Sequence, residues 1–415
     1  MTLPINTLLP GLNQKRIHPD DLRPYAPMYS KSSPQNIICQ ACPNGCHLHI
    51  HAGGGAPVKI TGNQCQKGID HALRFINGAA GPLPADFRQP TQVTGERPAM
   101  LSREALEDIS ARWGLKVKRL LPCINIEGSP ERSLFRTVFE DTKGDRFILE
   151  QIPPQSRGTR IRIAETLTYL KQQGLNRVRP YLPDGQNRYL LEHKGQLWQI
   201  APFIPGTALD RQTYLYEQWR GGRLADFLIA LKDKTEGLPF FNPAQHFSLK
   251  DYVLRLFQNI TRHNPPLAQS LQPIMVFLEK NFFHVYNSFP VAFCHGDYHP
   301  LNIIWATNDI KIVIDWEFAG YKPEIYDTAN MIGCIGIEHP SGLLGGLVSE
   351  FIHRLRQERF LPDTSWDYLV EFVIAVRFGW LSEWLRKSDT DMIEMETVYM
   401  KLLMAEKTRL RNAWF

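Results

Sequence analysis

Three short apolar runs, VAFC, NIIW and IKIVI, crowd into residues 291–314, separated by polar loops of only a few residues. Runs of this length bounded by turn signals read as strands. From about residue 210 onward the rest of the chain reads largely as helix, with no internal repeat at a fixed period. A fold for this sequence must therefore set a few short strands inside a helical body. The polar groups HGDYHP and DWE then fall at strand ends, where side chains that do chemistry are commonly held.

Those polar groups are chemically specific. Asp297 and Asn302 stand five residues apart, and Asp315 follows thirteen residues after Asn302, at the end of the apolar run IKIVID. The first spacing is that of the protein-kinase catalytic loop, H-R-D-x-x-x-x-N. Phosphoryl transfer asks little covalent chemistry of a protein. It needs a carboxylate to orient and deprotonate the attacking hydroxyl, and oxygen ligands to hold Mg²⁺ against the phosphates. Asp297 fits the first role, and Asn302 with Asp315 fits the second. His299 reads as a brace for the loop, and Glu317 as a cap, a surface group or a neighbour of the metal.

HGDYHPLNII followed by VIDWEFAGYKPEIYDTA resembles the catalytic signature of the aminoglycoside phosphotransferase and choline kinase family. The resemblance extends over roughly residues 103–400. It implies an α+β, protein-kinase-like two-lobe fold, with a small β-sheet N-lobe over about residues 101–205 and a larger helical C-lobe over 206–415. It also implies ATP and Mg²⁺ as cofactors and a small metabolite hydroxyl as acceptor, on a sugar, an amino alcohol or an aminoglycoside-like compound. By position, Asp297 is then the catalytic base, and Asn302 and Asp315 the magnesium ligands. Asp327 matches a family aspartate at the start of the next helix, where capping is the expected task. Glu165 in IAETLTYLKQQG matches an N-lobe helix glutamate. QIAPFIPGTAL, which includes Phe203, resembles the hinge strand that meets the adenine edge through its backbone.

The expected N-lobe elements follow from local patterns. Ser102 is placed to cap a helix through Ala105, Leu106 and Ile109. Three β-like runs come next, VKRLLPCINI, SLFRTVFED and RFILEQI, then a helix over residues 159–173 that stops before Gly174, and two further strands, RYLLEH and LWQIAPF. Here the sequence departs from the family pattern. A lysine commonly ends the third strand and contacts the phosphates, but RFILEQI puts Glu150 or Gln151 there. A carboxylate cannot neutralise phosphate, so either another cation does so or nucleotide binding is weak. Arg136, with Arg132 in the preceding turn EGSPERS, is the nearest candidate.

Upstream, residues 1–35 read as an extended arm, 36–78 as a cysteine-rich unit with two short strands, HLHIH and PVKIT, and 79–100 as a proline- and glycine-rich linker. Cys39, Cys42, Cys46 and Cys65 form C-x2-C-x3-C-x18-C, four of the seven cysteines in the chain. Thiolates so clustered can hold a metal tetrahedrally. The segment resembles the N-terminal iron–sulfur segment of molybdopterin-dependent oxidoreductases, which implies a [4Fe–4S] cluster, with zinc as the alternative. The four thiolates leave His47, His49 and His51 as a solvated strand face. A rival reading follows: an iron–sulfur redox or sensing protein, with an unknown redox partner and a weakly catalytic kinase-like scaffold.

Composition closes off other classes. A net charge of +5 lacks the concentrated basic face of a nucleic-acid binder. No apolar run is long enough to span a bilayer, and MTLPINTLLPGLNQKR lacks the layout of a secretory signal. An odd cysteine count, clustered rather than dispersed, speaks for a reducing compartment, so a cytoplasmic protein is expected. In the helical region Trp380, Trp384, Glu383, Asp389 and Asp391 could meet an acceptor. Core packing with a solvated acidic loop is the simpler reading.

Overall fold

The computed structural model describes residues 101–415 except 123, 125, 127–132 and 212, and upstream of them the backbone of three strands. These strands, β1 (Gln35–Ile38), β2 (His47–His51) and β3 (Lys59–Thr61), form an antiparallel sheet in the order β1-β2-β3. The two strands expected there are present, and β1 is an addition that its sequence, QNII, signals only weakly. The metal-ligand candidates Cys39, Cys42, Cys46 and Cys65 lie outside the described residues, as do Arg132 and the linker over 79–100.

The remaining chain is α+β and divides into two compact units. The smaller takes in the residues up to Thr168 together with Arg179–Pro205. Its centre is a five-stranded antiparallel sheet in the order β4-β5-β6-β8-β7, with β4 Val117–Leu120, β5 Phe135–Asp141, β6 Arg146–Ile152, β7 Leu191–His193 and β8 Gln196–Pro202. The β5–β6 hairpin closes because Asp141 Oδ1 accepts the N–H groups of Lys143 and Asp145, while Gly144 takes φ +91°.

Period-two alternation sorts the strand side chains onto two faces. One face buries Phe139, Phe147, Leu149, Trp198 and Ile200 against Leu106 and Ile109 of helix α1 (Arg103–Ala111). Ser102 caps that helix as its sequence suggests, its Oγ accepting the Ala105 N–H at 3.1 Å. On the opposite face, Ile152 and Leu197 are packed by Ile161 of helix α2 (Arg157–Gln172).

The larger unit consists of Tyr169–Val178 and Gly206–Phe415 among the described residues. It is mainly helical: α3 (Gln218–Lys234), α4 (Leu249–His263), α5 (Pro265–Leu278), α6 (Tyr326–Glu338), α7 (Gly346–Gln357), α8 (Leu369–Lys387), α9 (Thr390–Ala405) and α10 (Lys407–Trp414). Helices α3 and α7 approach closely because Gly221 faces the Leu347 carbonyl, which a Cβ there would meet at 2.1 Å. Leu224, Phe227, Leu347, Phe351, Phe372 and Phe378 are fully buried in its core.

Two short antiparallel pairs are set among these helices. Strand β9 (Val291–Cys294) pairs with β12 (Gly320–Pro323), and β10 (Ile303–Trp305) pairs with β11 (Ile310–Val313). This is the strand group that the apolar runs require. No described helix is long and apolar enough to cross a membrane.

Candidate active site

The loop after β9 is bent by a position that only glycine can fill. Gly296 has φ +84°, and a Cβ there would meet the Phe318 carbonyl oxygen at 2.1 Å. The turn is then clamped from α6. Asp327 accepts the His295 N–H through Oδ2 at 2.6 Å and the Gly296 N–H through Oδ1 at 2.8 Å. Asp327 therefore does not cap its own helix. Ile325 is the capping position there, without a side-chain bond. Burial pushes the Asp327 carboxyl up to about 6.

His295, also fully buried, fixes the next step of the chain. Its Nε2 lies 2.9 Å from the Ile314 carbonyl, and its Nδ1 accepts the Asp297 N–H at 3.2 Å. Nδ1 as acceptor and Nε2–H as donor describe a neutral ring. Burial also pushes its pKa down to about 4. Trp316 packs on the ring at 4.5 Å between centroids. His295 is thus a structural link that ties the catalytic-type turn to the end of β11.

These supports aim three polar side chains. Asn302 Nδ2 donates to the Asp297 carbonyl at 2.9 Å and to its Oδ2 at 3.0 Å. The other carboxylate oxygen, Oδ1, stands 3.6 Å from His299 Nε2. The Asp297 side chain is 15% exposed, so the carboxylate is sheltered yet reachable. Ile314 N–H donates to the Asn302 carbonyl at 2.9 Å, bringing the residue before Asp315 against Asn302. Asp315 itself takes φ +69°, ψ 60°, a left-handed conformation uncommon for a residue with a side chain. Local strain of this kind concentrates at functional sites.

Asn302 Nδ2 is committed to Asp297, and Asp315 directly follows Ile314, whose N–H bonds the Asn302 carbonyl. An all-oxygen set of two protein ligands, completed by phosphate oxygens and water, suits Mg²⁺. No group of three or more His, Cys, Asp or Glu placed to hold a metal occurs among the described residues. A site made of one carboxylate and one carboxamide does not need such a group.

The acids and aromatics of α8 and α9 separate into two kinds. Glu383 is paired with Arg386 and Lys387, and Asp389 caps α9 through the Met392 N–H. Glu396 is buried against Arg377 and accepts the Trp384 indole N–H. The Trp380 indole donates to Asn330 Oδ1, and Asn330 Nδ2 in turn donates to the Tyr298 carbonyl. The Trp380 ring lies 5.7 Å from His299 and 6.0 Å from Trp384. Both tryptophans are half-buried. They are therefore not plain core residues: they form an anchored aromatic wall next to the loop that carries Asp297.

In the smaller unit the sequence candidates fare differently. Arg136 does stand opposite Glu150 across β5 and β6, with its Nε 2.5 Å from Glu150 Oε1. Glu165 is half-buried on α2 and makes no ion pair among the described residues. The helix charge that reaches Glu150 is Arg160, at 3.8 Å. The Phe203 N–H is spent on the Arg146 carbonyl at 2.8 Å, so it is not a hydrogen-bond donor for a base. The Phe203 ring instead joins an apolar patch with Leu121, Val138 and Ile148.

The family model that matches this chain is the phosphotransferase enzyme family, APH, over residues 126–360. Among solved structures, an amicoumacin kinase complexed with AMP-PNP, Ca²⁺ and Ami aligns with TM-score 0.54 and 16% identity, covering 74% of this chain and 94% of that one. A mutant aminoglycoside 2'-phosphotransferase-IIIa in its GDP complex aligns with TM-score 0.51 and 17% identity, covering 74% and 97%. At such identities the likeness is one of fold. No curated protein sequence matches.

Proposed function

Since the chain belongs to the phosphotransferase enzyme family, we propose that it moves the γ-phosphoryl group of ATP to a hydroxyl of a small molecule, with Asp297 as the base. The observation that carries this reading is the state of the Asp297 carboxylate. One oxygen is fixed by Asn302, and the other is held near His299 in a sheltered but accessible position. As the acceptor oxygen bonds to the γ-phosphorus, its proton passes to Asp297. The bond from that phosphorus to the bridging oxygen breaks, and its electron pair leaves with ADP.

Asn302 Oδ1 and the Asp315 carboxylate would hold Mg²⁺, which when bound neutralises charge on the phosphate oxygens. The neutral His295 keeps the turn rigid without adding a charge of its own. In the smaller unit, Leu121, Val138, Ile148 and Phe203 supply an apolar surface for the base, and Arg136 supplies positive charge for the phosphates.

The acceptor meets the Trp380–Trp384 wall rather than a cluster of acids, because Glu383, Asp389 and Glu396 are each engaged by neighbours. A compound with a flat or sugar-like ring carrying the reactive hydroxyl fits that surface better than a polycation does.

The test is to screen ring-bearing alcohols with γ-labelled ATP and Mg²⁺, following label transfer to the acceptor. Label that stays in ATP with every acceptor, together with no Mg²⁺-dependent nucleotide binding, would overturn the assignment.

A further inference from the structure

Across the middle of the five-stranded sheet, one face carries a row of polar side chains where the neighbouring positions are apolar. Arg136 of β5, Glu150 of β6 and Gln199 of β8 stand opposite one another in register. Glu150 is 4% exposed and Gln199 0%. Arg160, 2% exposed on α2, places its Nη1 3.8 Å from Glu150 Oε2 and donates from the same nitrogen to the Tyr181 hydroxyl at 3.3 Å. Arg136 meets Glu150 Oε1 from the other side. Two guanidinium groups thus face one carboxylate.

Such a row is hard to explain as a stabilising device. A buried ion cluster often does no better than well-packed apolar residues of the same volume. Moreover, both amide atoms of Gln199 are buried without a hydrogen-bond partner among the described residues. An unmet buried amide is destabilising, so polar capacity is concentrated here beyond what the sheet itself uses.

Position along the strands gives the row a context. Two residues away on the same face, Val138 and Ile148 form the apolar patch with Leu121 and Phe203. Two residues the other way, Ile152 is covered by α2. The polar row is thus the border between an apolar patch and the helix that closes the face. Of its two cations, Arg136 is the accessible one: its side chain is 21% exposed against 2% for Arg160.

We propose that Glu150 and Arg160 are positioning residues, and that Arg160, acting through Glu150, holds Arg136 toward the phosphates of the nucleotide. This rests on the nucleotide-binding reading above. It resolves the apparent conflict of a carboxylate beside phosphate, because Glu150 is more than neutralised by its two arginines and serves to orient one of them.

The experiment compares binding of AMP-PNP with Mg²⁺ and of adenosine to the full chain, alongside thermal unfolding. The proteins are wild type, the single variants Arg160→Met and Glu150→Gln, and two controls, Arg160→Lys and Arg136→Met. Loss of one charge-assisted contact predicts about tenfold or weaker AMP-PNP binding in both single variants. Adenosine affinity should be unchanged, and Arg160→Lys, which keeps the buried cation, should retain most of the AMP-PNP affinity.

Wild-type AMP-PNP affinity in both single variants would overturn the proposal while leaving the nucleotide site intact. An equal fall for adenosine and AMP-PNP would overturn it too, since the cluster would then only support the sheet. If the single variants do not fold, Arg136→Met decides: a folded Arg136→Met protein with wild-type AMP-PNP affinity refutes the phosphate contact and the positioning role with it. Wild-type protein that binds AMP-PNP no better than adenosine refutes the nucleotide reading itself, and the proposal with it.

Discussion

Replacing Asp327 by Asn tests whether the clamp on the turn that carries Asp297 acts as a buried charged acceptor. The carboxylate receives two backbone N–H groups. An asparagine offers one oxygen, and its own N–H₂ faces the second donor. Loss of one bond to a charged acceptor costs about 1.5–3 kcal/mol. The pH dependence is the sharper signature. Burial raises the Asp327 pKa from 3.8 to about 6, so the folded state binds a proton more readily than the unfolded chain between those values. Wild-type stability from this group therefore increases as pH falls through about 6, and the asparagine variant lacks that gain.

At about pH 4.5 the mutation should cost about 2 kcal/mol more than at about pH 7, since roughly 1.5 pH units of differential protonation are each worth about 1.36 kcal/mol. His295 acts in the opposite sense. Burial lowers its pKa from 6.5 to about 4, so its contribution is lost as pH falls through that window. The two slopes nearly cancel in the wild type, and Asp327→Asn unmasks the histidine. Urea unfolding followed by tryptophan fluorescence over this pH range measures the difference directly. A mutational cost that stays constant or shrinks in acid would refute a raised, buried Asp327.

The remaining expectations concern the reaction. Asp297→Asn keeps the Asn302 contact geometry but removes the proton acceptor. Turnover should fall by about 10²-fold or more with little change in nucleotide affinity, and near-normal turnover would remove Asp297 as the base. Asp315→Ala should abolish the enhancement of ATP binding by Mg²⁺ in a direct binding assay. An undiminished enhancement would place the metal elsewhere. Trp380→Ala should raise the acceptor KM by about tenfold while leaving the KM for ATP near its wild-type value, and the reverse split would move the acceptor away from the aromatic wall.

The legible and the illegible parts of these sites differ in how far along the chain their residues lie. Asp297, Asn302 and Asp315 fall within nineteen residues of one another. Their relative placement is limited by two short strand pairs, so spacing alone suggests which side chains can meet. The partner of that turn, Asp327, sits thirty residues beyond Asp297. Its place at a helix start suggested a cap, because sequence shows a local donor and hides a distant one. The same limit explains Arg160. The hairpin register makes Arg136 a neighbour of Glu150, a relation that a short TKG turn nearly dictates. Whether Arg160 or Glu165 reaches that strand depends on how α2 is rotated on the sheet. That rotation is set by Ile161 packing on Ile152 and Leu197, contacts between segments with no common local pattern.

Phe203 shows the limit from the backbone side. A pattern can mark it as a hinge residue, but not that its N–H closes the last rung between β8 and Arg146. The turn that carries Asp297 is thus a local device, its residues drawn from one stretch of sequence. On the proposed reading, the phosphate-facing charge is assembled from two strands and a helix, through Arg136, Glu150 and Arg160. On that reading a chain can exchange the source of the charge, so long as another segment of the sheet returns the cation. On this argument the identity of residue 150 alone is a poor guide to activity in related chains; the sum of charges at 136, 150 and 160 is the quantity that should be preserved.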